Sequence, residues 1–215
     1  DLAGSLDNAY IGSCLVDNHT LEEKAFLFQE GLDPCVVAKR IDLREEISPD
    51  SVVSQKIKVL QYNVCTFGKS NNSKNRKTMA SDFKAGAYHI GCFQETRGGR
   101  DRIMCAHDIL MCAAAAKNGC HGCEVWISTI SSFAVVNKKK VQIKREDVSI
   151  MKSHSRCIIV KVVLSQLSMY IVSAHAPYHG CKVDSYSEWW RNFANDIQVH
   201  CTKGIPCIVG IDGNV

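Results

Sequence analysis

Four short apolar runs in this sequence each end in a cluster of polar residues, and this pattern constrains the fold more than any other feature. The polar clusters are Gln61-Tyr62-Asn63, Gln94-Glu95-Thr96, His175-Ala176-Pro177 and Asp212-Gly213-Asn214. The runs before them are rich in Ile, Val, Leu, Phe and Cys, which is typical of strands buried in a sheet. Because the clusters lie far apart in the sequence, only folding brings them together. We predict that they form one site at the rim of a sheet.

The bulk composition indicates a globular domain. The chain has 215 residues, of which 46% are hydrophobic and 22% charged, enough for a core that needs no disulfide or metal staple. The net charge of +4 permits a polyanionic partner without requiring one. The 12 cysteines are scattered, and no apolar signal segment opens the chain. These features predict a reducing compartment, nucleus or cytoplasm, and no run is long enough to span a bilayer.

Residues 1–55 differ from the rest of the chain. Thr20-Leu21-Glu22-Glu23 has the form of a helix capping box, a second short helical run covers 36–47, and 48–51 reads as a linker. We predict a partly helical extension over 1–55, of unknown function, and a separate domain over 56–215. The first residue is Asp1, and the chain stops directly after the last polar cluster. We therefore expect this chain to be a piece of a longer polypeptide.

The hydrophobic pattern from residue 56 onward indicates an α/β (α+β) fold. Strands are predicted at 57–62, 88–94, 123–128, 156–164, 169–174 and 207–212, and helices at 76–87 and 186–200. Residues 109–112 are a candidate strand, 133–136 are a strand or part of a helix, and 141–143 show the alternation of a strand. The stripe expected to face the core from the first helix is Met79, Phe83 and Ala87. Strands dominate, with helices between them. This order predicts two layers of mostly antiparallel sheet with helices packed outside.

The side chains in the four clusters suit metal-assisted hydrolysis of a phosphoester. Mg²⁺ prefers oxygen ligands and keeps several waters, and Glu95 with Asn63 offers such oxygens. His175 is suited to contact a phosphate oxygen or transfer a proton. Asp212 and Asn214 are two residues apart, so on an extended chain they point the same way and together orient a water. Singly, each cluster is an ordinary strand end; their joint order favours a site.

These clusters resemble motifs of a known superfamily. The strings QYNV, FQET, SRCIIVKV, SAHAPY and VGIDGNV are similar to the endonuclease/exonuclease/phosphatase superfamily. That superfamily includes DNase I-like nucleases, AP endonucleases, inositol-phosphatase-like enzymes and the endonuclease domains of LINE-type retrotransposons. The resemblance covers about residues 56–215. It implies a DNase I-like four-layer sandwich, Mg²⁺ or Mn²⁺ as cofactor, DNA as partner and, in a retrotransposon polyprotein, a downstream reverse transcriptase.

The resemblance also implies roles for individual residues. Glu95 matches the magnesium-binding Glu of the family, and Asn63 its first-strand Asn beside metal and phosphate. His175 falls where members carry His or Tyr beside the scissile phosphate, and the Asp212/Asn214 pair matches the one that aligns the attacking water. Arg156 falls where many members have an Arg that opens a central strand and supports the site. It is also expected to contact nucleic acid or phosphate, as are Arg97 and Arg100 because their basic loop directly follows Glu95.

The sequence departs from the family pattern in two ways. Ile211 replaces the Gly that usually precedes the Asp of the last motif. The family also carries a later Ser-Asp-His segment and one further Asp, and this chain ends at Val215. The other histidines, including His121, lie in contexts that match no family position. We therefore expect the last strands of the fold to be missing and this chain to be catalytically incompetent, with an active parent.

Two alternative functions stay open from the sequence. The first is a phosphatase of the same fold that acts on small phosphoesters of the inositol-phosphate or sphingolipid type. The second is a degenerate, non-catalytic binding module, which Ile211 and the absent Ser-Asp-His segment would allow.

Three further motifs have ordinary interpretations that we prefer. Cys120-His121-Gly122-Cys123 has the spacing of a zinc half-site, but no second ligand pair follows, so a turn is expected. The basic run Lys138-Lys139-Lys140 reads as a solvated hairpin rather than a nucleic-acid contact. Trp189-Trp190 reads as core packing of the second helix rather than a platform for stacking bases.

Overall fold

The computed structural model describes residues 52–53, 56–67, 74–136, 139–164, 167–178 and 183–214. The capping box, the helices predicted before residue 48, the linker at 48–51 and Lys138 lie outside these residues. Within the described part, no helix combines the length and apolar character needed to cross a membrane.

Twelve strands and two α-helices make up the described chain. The strands are β1 (Val52–Val53), β2 (Val59–Asn63), β3 (Ile90–Gln94), β4 (Arg102–Ala106), β5 (Ile109–Ala113), β6 (Cys123–Ser128), β7 (Ala134–Val136), β8 (Lys139–Val141), β9 (Val148–His154), β10 (Cys157–Leu164), β11 (Leu167–His175) and β12 (Cys207–Asp212). The helices are α1 (Lys74–Ala85) and α2 (Val183–His200), with one 3-10 turn at Arg145–Asp147. Strand β1 precedes the predicted boundary at residue 56 and pairs with β7, while the domain division itself stays a prediction.

The strands form two main sheets and a small one. The first sheet has the order β2-β3-β6-β5-β4, the second β12-β11-β10-β9, and the third β1-β7-β8. Pairs β2/β3 and β11/β12 run parallel, and the other described pairs run antiparallel. Each main sheet therefore has one parallel pair at one edge, which brings the carboxyl ends of two strands together there.

Three hydrophobic cores separate four layers. Between the two main sheets lie side chains such as Cys92, Val125 and Ile158. Helix α1 packs Phe83 on the outer face of the first sheet, and helix α2 packs Phe193 on the outer face of the second. The order of layers is helix, sheet, sheet, helix. This arrangement confirms the predicted sandwich of two mostly antiparallel sheets flanked by helices.

Strand β10 shows why several strands read as unbroken apolar runs. Ile158, Val160 and Val162 face the other sheet, whereas Cys157 and Ile159 face helix α2. Both faces are covered, so both sets of alternating side chains are apolar. Such a strand does not show the usual alternation of apolar and polar residues. It is recognised in the sequence as a continuous apolar run.

The two sheets approach closely beside the polar strand ends. A Cβ at Gly210 in β12 would overlap the Cβ of Cys92 in β3, so only glycine fits there. Polar bonds cross the same interface: Ser173 Oγ donates to the Phe93 carbonyl at 2.9 Å, and Gln94 Nε2 donates to Ser173 Oγ at 3.1 Å. These contacts fix the separation of the sheets, and with it the spacing of the groups at their rim.

The structure corrects part of the predicted element map. Strands β4 and β9 were not predicted. No residue of β4 is fully buried, and in β9 exposed residues alternate with more buried ones, so neither forms a buried apolar run. In helix α1 the buried positions are Arg76, Ala80 and Phe83. Ala87 was expected on the apolar stripe, but it lies beyond the helix, exposed, with φ of 50°. The core-facing side of α1 thus includes an arginine that hydrophobic periodicity does not detect.

Candidate active site

The polar ends of strands β2, β3, β11 and β12 meet at one rim of the sandwich. In the first sheet Asn63 pairs with Gln94, so Glu95 comes directly after the paired ends. In the second sheet His175 pairs with Asp212. Since the sheets are packed face to face, these ends come into contact although their sequence positions differ by up to 149 residues.

Asp212 is held by hydrogen bonds from two directions. Asn63 Nδ2 donates to its Oδ2 at 2.7 Å, across the two sheets, and the Asn214 backbone N–H donates to its Oδ1 at 3.2 Å. The Asn63 Oδ1 in turn accepts the Cys65 backbone N–H at 3.0 Å. The Asp212 carboxylate is therefore oriented, half-buried and supplied with donors on both oxygens.

Asn214 lies near Asp212 for a reason other than the one predicted. The expectation was an extended chain on which both side chains point the same way. Asn214 has φ of 49°, and its Nδ2 donates to the Ala176 carbonyl at 2.8 Å. The left-handed turn, which Asn tolerates well, brings the amide back against the segment that follows β11. Asn214 thus ties β12 to β11 at the rim.

His175 lies between the two carboxylates of the cluster. Its Nε2 is 3.5 Å from Glu95 Oε1 and 3.8 Å from Asp212 Oδ2. A nitrogen that faces two carboxylate oxygens carries a proton, because a bare lone pair there would be repelled. Burial lowers the pKa of His175, as does nearby Arg156, while Asp212 and Glu95 act in the opposite direction. Burial thus favours the neutral imidazole, whose Nε2 faces the two carboxylates and whose buried Nδ1 has no described hydrogen-bond partner.

The three predicted arginine contacts occupy different positions. Arg97 is exposed, and its Nη2 lies 3.4 Å from Glu95 Oε2. Arg156 turns toward the main chain, where its Nη1 donates to the carbonyls of His175 and Ala176 at 3.2 and 3.1 Å. Arg100 is exposed on the loop after β3 and has no described bond to the cluster. Arg156 thus supports the rim, and Arg97 and Arg100 are available to a ligand in solvent.

Backbone strain is concentrated at this rim. Cys65, Glu95, Arg97 and Asn214 all have φ between 49° and 54°. This left-handed region disfavours residues with a Cβ, and such outliers cluster at functional sites where surrounding bonds hold them. The Arg97 N–H, for example, donates to the His121 carbonyl at 2.8 Å. The unfavourable conformation is thus imposed by neighbouring segments.

His121 is a site residue that the sequence analysis set aside. Its ring centroid lies 5.5 Å from that of His175, at a tilt of 55°. The CxxC residues around it lie in different surroundings: Cys120 is exposed in the turn, and Cys123 is buried at the start of β6. The one feature of the sequence that could have indicated His121 is a histidine in a Gly-containing turn that leads into a strand. Proximity to His175 depends on contacts between sheets, which no local pattern encodes.

The oxygen donors at the rim fit a hard divalent cation. Within the described ranges, no group of three His, Cys, Asp or Glu side chains forms a protein-only metal site. Mg²⁺ does not need one, since it binds through one or two carboxylates and keeps its waters. Glu95 makes only long contacts, 3.4 and 3.5 Å, and Asn63 Oδ1 has a second lone pair available. The chemistry of Glu95 and Asn63 thus fits such a cation, and their role as its ligands stays a prediction.

Comparisons with solved structures find matches of low sequence identity. One match is the endonuclease domain of TRAS1, a telomere-specific non-LTR retrotransposon, with 13% identity, a TM-score of 0.45 and coverage of 73% of this chain and 58% of that domain. A second is an endonuclease/exonuclease/phosphatase family protein from Leptotrichia buccalis C-1013-b, with 14% identity, a TM-score of 0.44 and coverage of 74% and 67%. A third is an AP endonuclease from Archaeoglobus fulgidus, with 17% identity, a TM-score of 0.46 and coverage of 74% and 58%.

This chain spans 58% of the TRAS1 domain and 58% of the A. fulgidus enzyme, so it corresponds to part of their length. No protein-family profile and no curated protein sequence matches it.

Proposed function

We propose that this chain carries the phosphodiesterase site of a DNA endonuclease that depends on Mg²⁺ or Mn²⁺. One observation carries the proposal: four strand ends from two sheets bring an amide, two carboxylates and a neutral imidazole into one connected cluster. Those groups are Asn63, Glu95, Asp212 and His175. Solvated strand ends with no role would not need to be connected across the sheets.

Each group has a chemical task that follows from its position. A divalent cation held by Glu95 and Asn63 would polarise a phosphoryl oxygen and offset its developing charge. The fixed carboxylate of Asp212 accepts a hydrogen bond from the attacking water and orients it toward phosphorus. The Nε2–H of His175, now directed at the carboxylates, is placed to donate to a phosphate oxygen that enters beside them. Asn214 and Arg156 hold the backbone of the rim through the Ala176 carbonyl.

The surroundings of the cluster suit a polyanion. Arg97 and Arg100 are exposed directly after Glu95, and the whole chain has a net charge of +4. Phosphate contacts by such side chains supply sequence-independent affinity for DNA. A retrotransposon setting, with a reverse transcriptase in the same polypeptide, is part of the proposal. It is tested by the coding sequence after Val215, where a Ser-Asp-His segment and a polymerase domain are expected.

Metal binding by the chain itself is the first test. We expect Mn²⁺ titration followed by electron paramagnetic resonance to show one site, which Glu95→Gln removes. Asp108→Asn is the matched control: Asp108 is also half-exposed and has φ of 61°, but lies in the β4–β5 turn at the opposite end of the first sheet. Equal Mn²⁺ binding by the Glu95 and Asp108 variants would contradict the metal assignment.

Nicking of supercoiled plasmid by the longest natural polypeptide containing this sequence tests the reaction. We expect nicking in Mg²⁺ that Asp212→Asn and His175→Ala reduce by about 10²-fold or more, typical for loss of a group that acts in the transition state. Hydrolysis of small phosphomonoesters without nicking would favour a phosphatase. Metal binding without any hydrolysis, in a polypeptide that includes a Ser-Asp-His segment, would favour a non-catalytic module.

A further inference from the structure

His121 is fixed between the two sheets at the rim of the proposed site. Its carbonyl accepts the Arg97 N–H at 2.8 Å, on the segment that follows β3. The next N–H, that of Gly122, donates to the Ser155 carbonyl at 2.7 Å, in the turn between β9 and β10. The peptide group between His121 and Gly122 thus bonds to a segment from each sheet, which holds the backbone of His121 in place.

The turn around His121 is closely packed and conformationally unusual. His121 has φ of 65° and Gly122 has φ of 92°. A Cβ on Gly122 would lie 2.9 Å from Thr96 Oγ1 and 3.0 Å from the Arg97 nitrogen. The left-handed region costs a residue with a Cβ more than it costs glycine, and the close contacts of Gly122 leave this turn little room to change. The backbone of His121 is therefore held in one conformation.

The imidazole of His121 has no hydrogen-bond partner among the described residues. It is half-buried against His175, 5.5 Å between ring centroids, and forms no hydrogen bond to another described residue. Its electrostatic neighbours are Arg156, His175, Glu95 and Arg97. Burial first, and then Arg156 and His175, lower the pKa of His121 to about 4. At neutral pH the ring is therefore uncharged and offers one N–H donor and one acceptor nitrogen.

We propose that His121 is a substrate-contacting residue that donates a hydrogen bond to a phosphodiester bound at this rim, beside His175 and next to Arg97. The inference rests on the proposed function, since it assigns a further group to the same site. A donor with no described partner beside two arginines and a second histidine is suited to an oxygen anion, because the arginines attract the anion, a cation at Glu95 would offset that carboxylate, and the neutral ring orients the anion. His121 would add a neutral donor at a position where the neighbouring arginines would repel a further positively charged side chain.

Two variants of His121 distinguish the contribution of its side chain to ligand binding from that of its backbone conformation. His121→Gly keeps the left-handed turn and removes the ring, whereas His121→Asn keeps the turn and an N–H donor. His107→Gly is the matched control, because His107 is exposed with φ of 55° in the β4–β5 turn, at the other end of the sheet. The probe is bis(4-nitrophenyl) phosphate, a small phosphodiester, added to the purified chain in the presence of Mn²⁺ or Ca²⁺.

Loss of one hydrogen bond predicts about two- to tenfold weaker binding of the diester by His121→Gly. His121→Asn should bind closer to the parent, and His107→Gly should bind like the parent. In Ca²⁺, the Cε1–H resonance of His121, identified by its absence in His121→Asn, should shift on titration with the same Kd. Equal affinity of His121→Gly and His107→Gly, or a resonance that does not move, would overturn the proposal.

The outcomes also distinguish this inference from the proposed function. If Glu95→Gln loses Mn²⁺ while His121→Gly binds the diester like the parent, the His121 inference fails alone. If the parent chain binds neither Mn²⁺ nor the diester, the proposed function fails and the role of His121 fails with it.

Discussion

Removing one partner of the Arg76–Glu124 ion pair should destabilise this protein severely. Arg76 on helix α1 donates two hydrogen bonds to the Glu124 carboxylate on β6, at 2.5 and 2.6 Å. The side chains are 3% and 0% exposed. Trp126 Nε1 adds a third donor to the same carboxylate at 2.8 Å, and the guanidinium lies 4.6 Å from the Phe67 ring centroid. The pair is the polar contact that joins α1 to the sheet inside an apolar layer.

Burial decides the size of the effect. An exposed pair is worth about 0–1 kcal/mol, because water solvates each charge when its partner is lost. A buried charge left alone has no such compensation, so Glu124→Gln or Arg76→Met should each cost about 3–5 kcal/mol of unfolding free energy. That loss is comparable with the whole stability of a small domain, about 5–15 kcal/mol. The double variant Arg76→Met/Glu124→Met should recover most of it, because neither charge remains buried.

Urea denaturation followed by far-ultraviolet circular dichroism measures these differences without dependence on the nearby Trp126. The internal control is Lys84–Asp108, a 2.8 Å pair that also joins α1 to the first sheet but is 41% and 52% exposed. Asp108→Asn should cost about 1 kcal/mol or less. The reasoning is refuted if Glu124→Gln costs no more than Asp108→Asn, or if the double variant loses the sum of the single losses.

Three other measurements probe the packing, the titration and the thiols. Gly210→Ala, whose methyl group would overlap Cys92, should cost about 1–3 kcal/mol and weaken Mn²⁺ binding, whereas Gly99→Ala, with open space around it, should do neither. Burial lowers the pKa of His89, so its contribution to stability is complete above the unfolded pKa of about 6.5 and falls as pH decreases below that value. Urea midpoints between pH 7.5 and pH 5 should show this decline, and His89→Gln should reduce it; an unchanged slope would contradict the assignment. Burial raises the pKa of the Cys112 thiol to about 12, so alkylation at pH 8 followed by mass spectrometry should label exposed Cys105 and spare Cys112 unless the chain is unfolded.

Much of the fold was predictable because strands buried on both faces are recognisable from local sequence. Strands β6 and β12 begin and end at the predicted residues, since both are rich in apolar residues and follow a turn that contains glycine. The edge strand β9 escaped prediction because one of its faces is exposed and its side chains alternate with serine and lysine. The Trp189 ring stacks on Phe193, with 5.2 Å between the ring centroids. Both tryptophans of the pair are partly buried and pack against the core between α2 and the second sheet, which confirms the predicted core packing.

The sequence by itself determined the four apolar runs and the polar clusters at their ends, because hydrophobic periodicity and turn chemistry act over a few residues. Tertiary structure alone decided which polar groups meet. The Asn63–Asp212 bond, the Arg76–Glu124 pair and the position of His121 against His175 all join distant segments. A polar residue in an apolar strand looks the same in sequence whether it faces solvent, an opposite charge or a substrate. Only the packing of one sheet on the other selects its neighbour, and that packing depends on the whole chain at once.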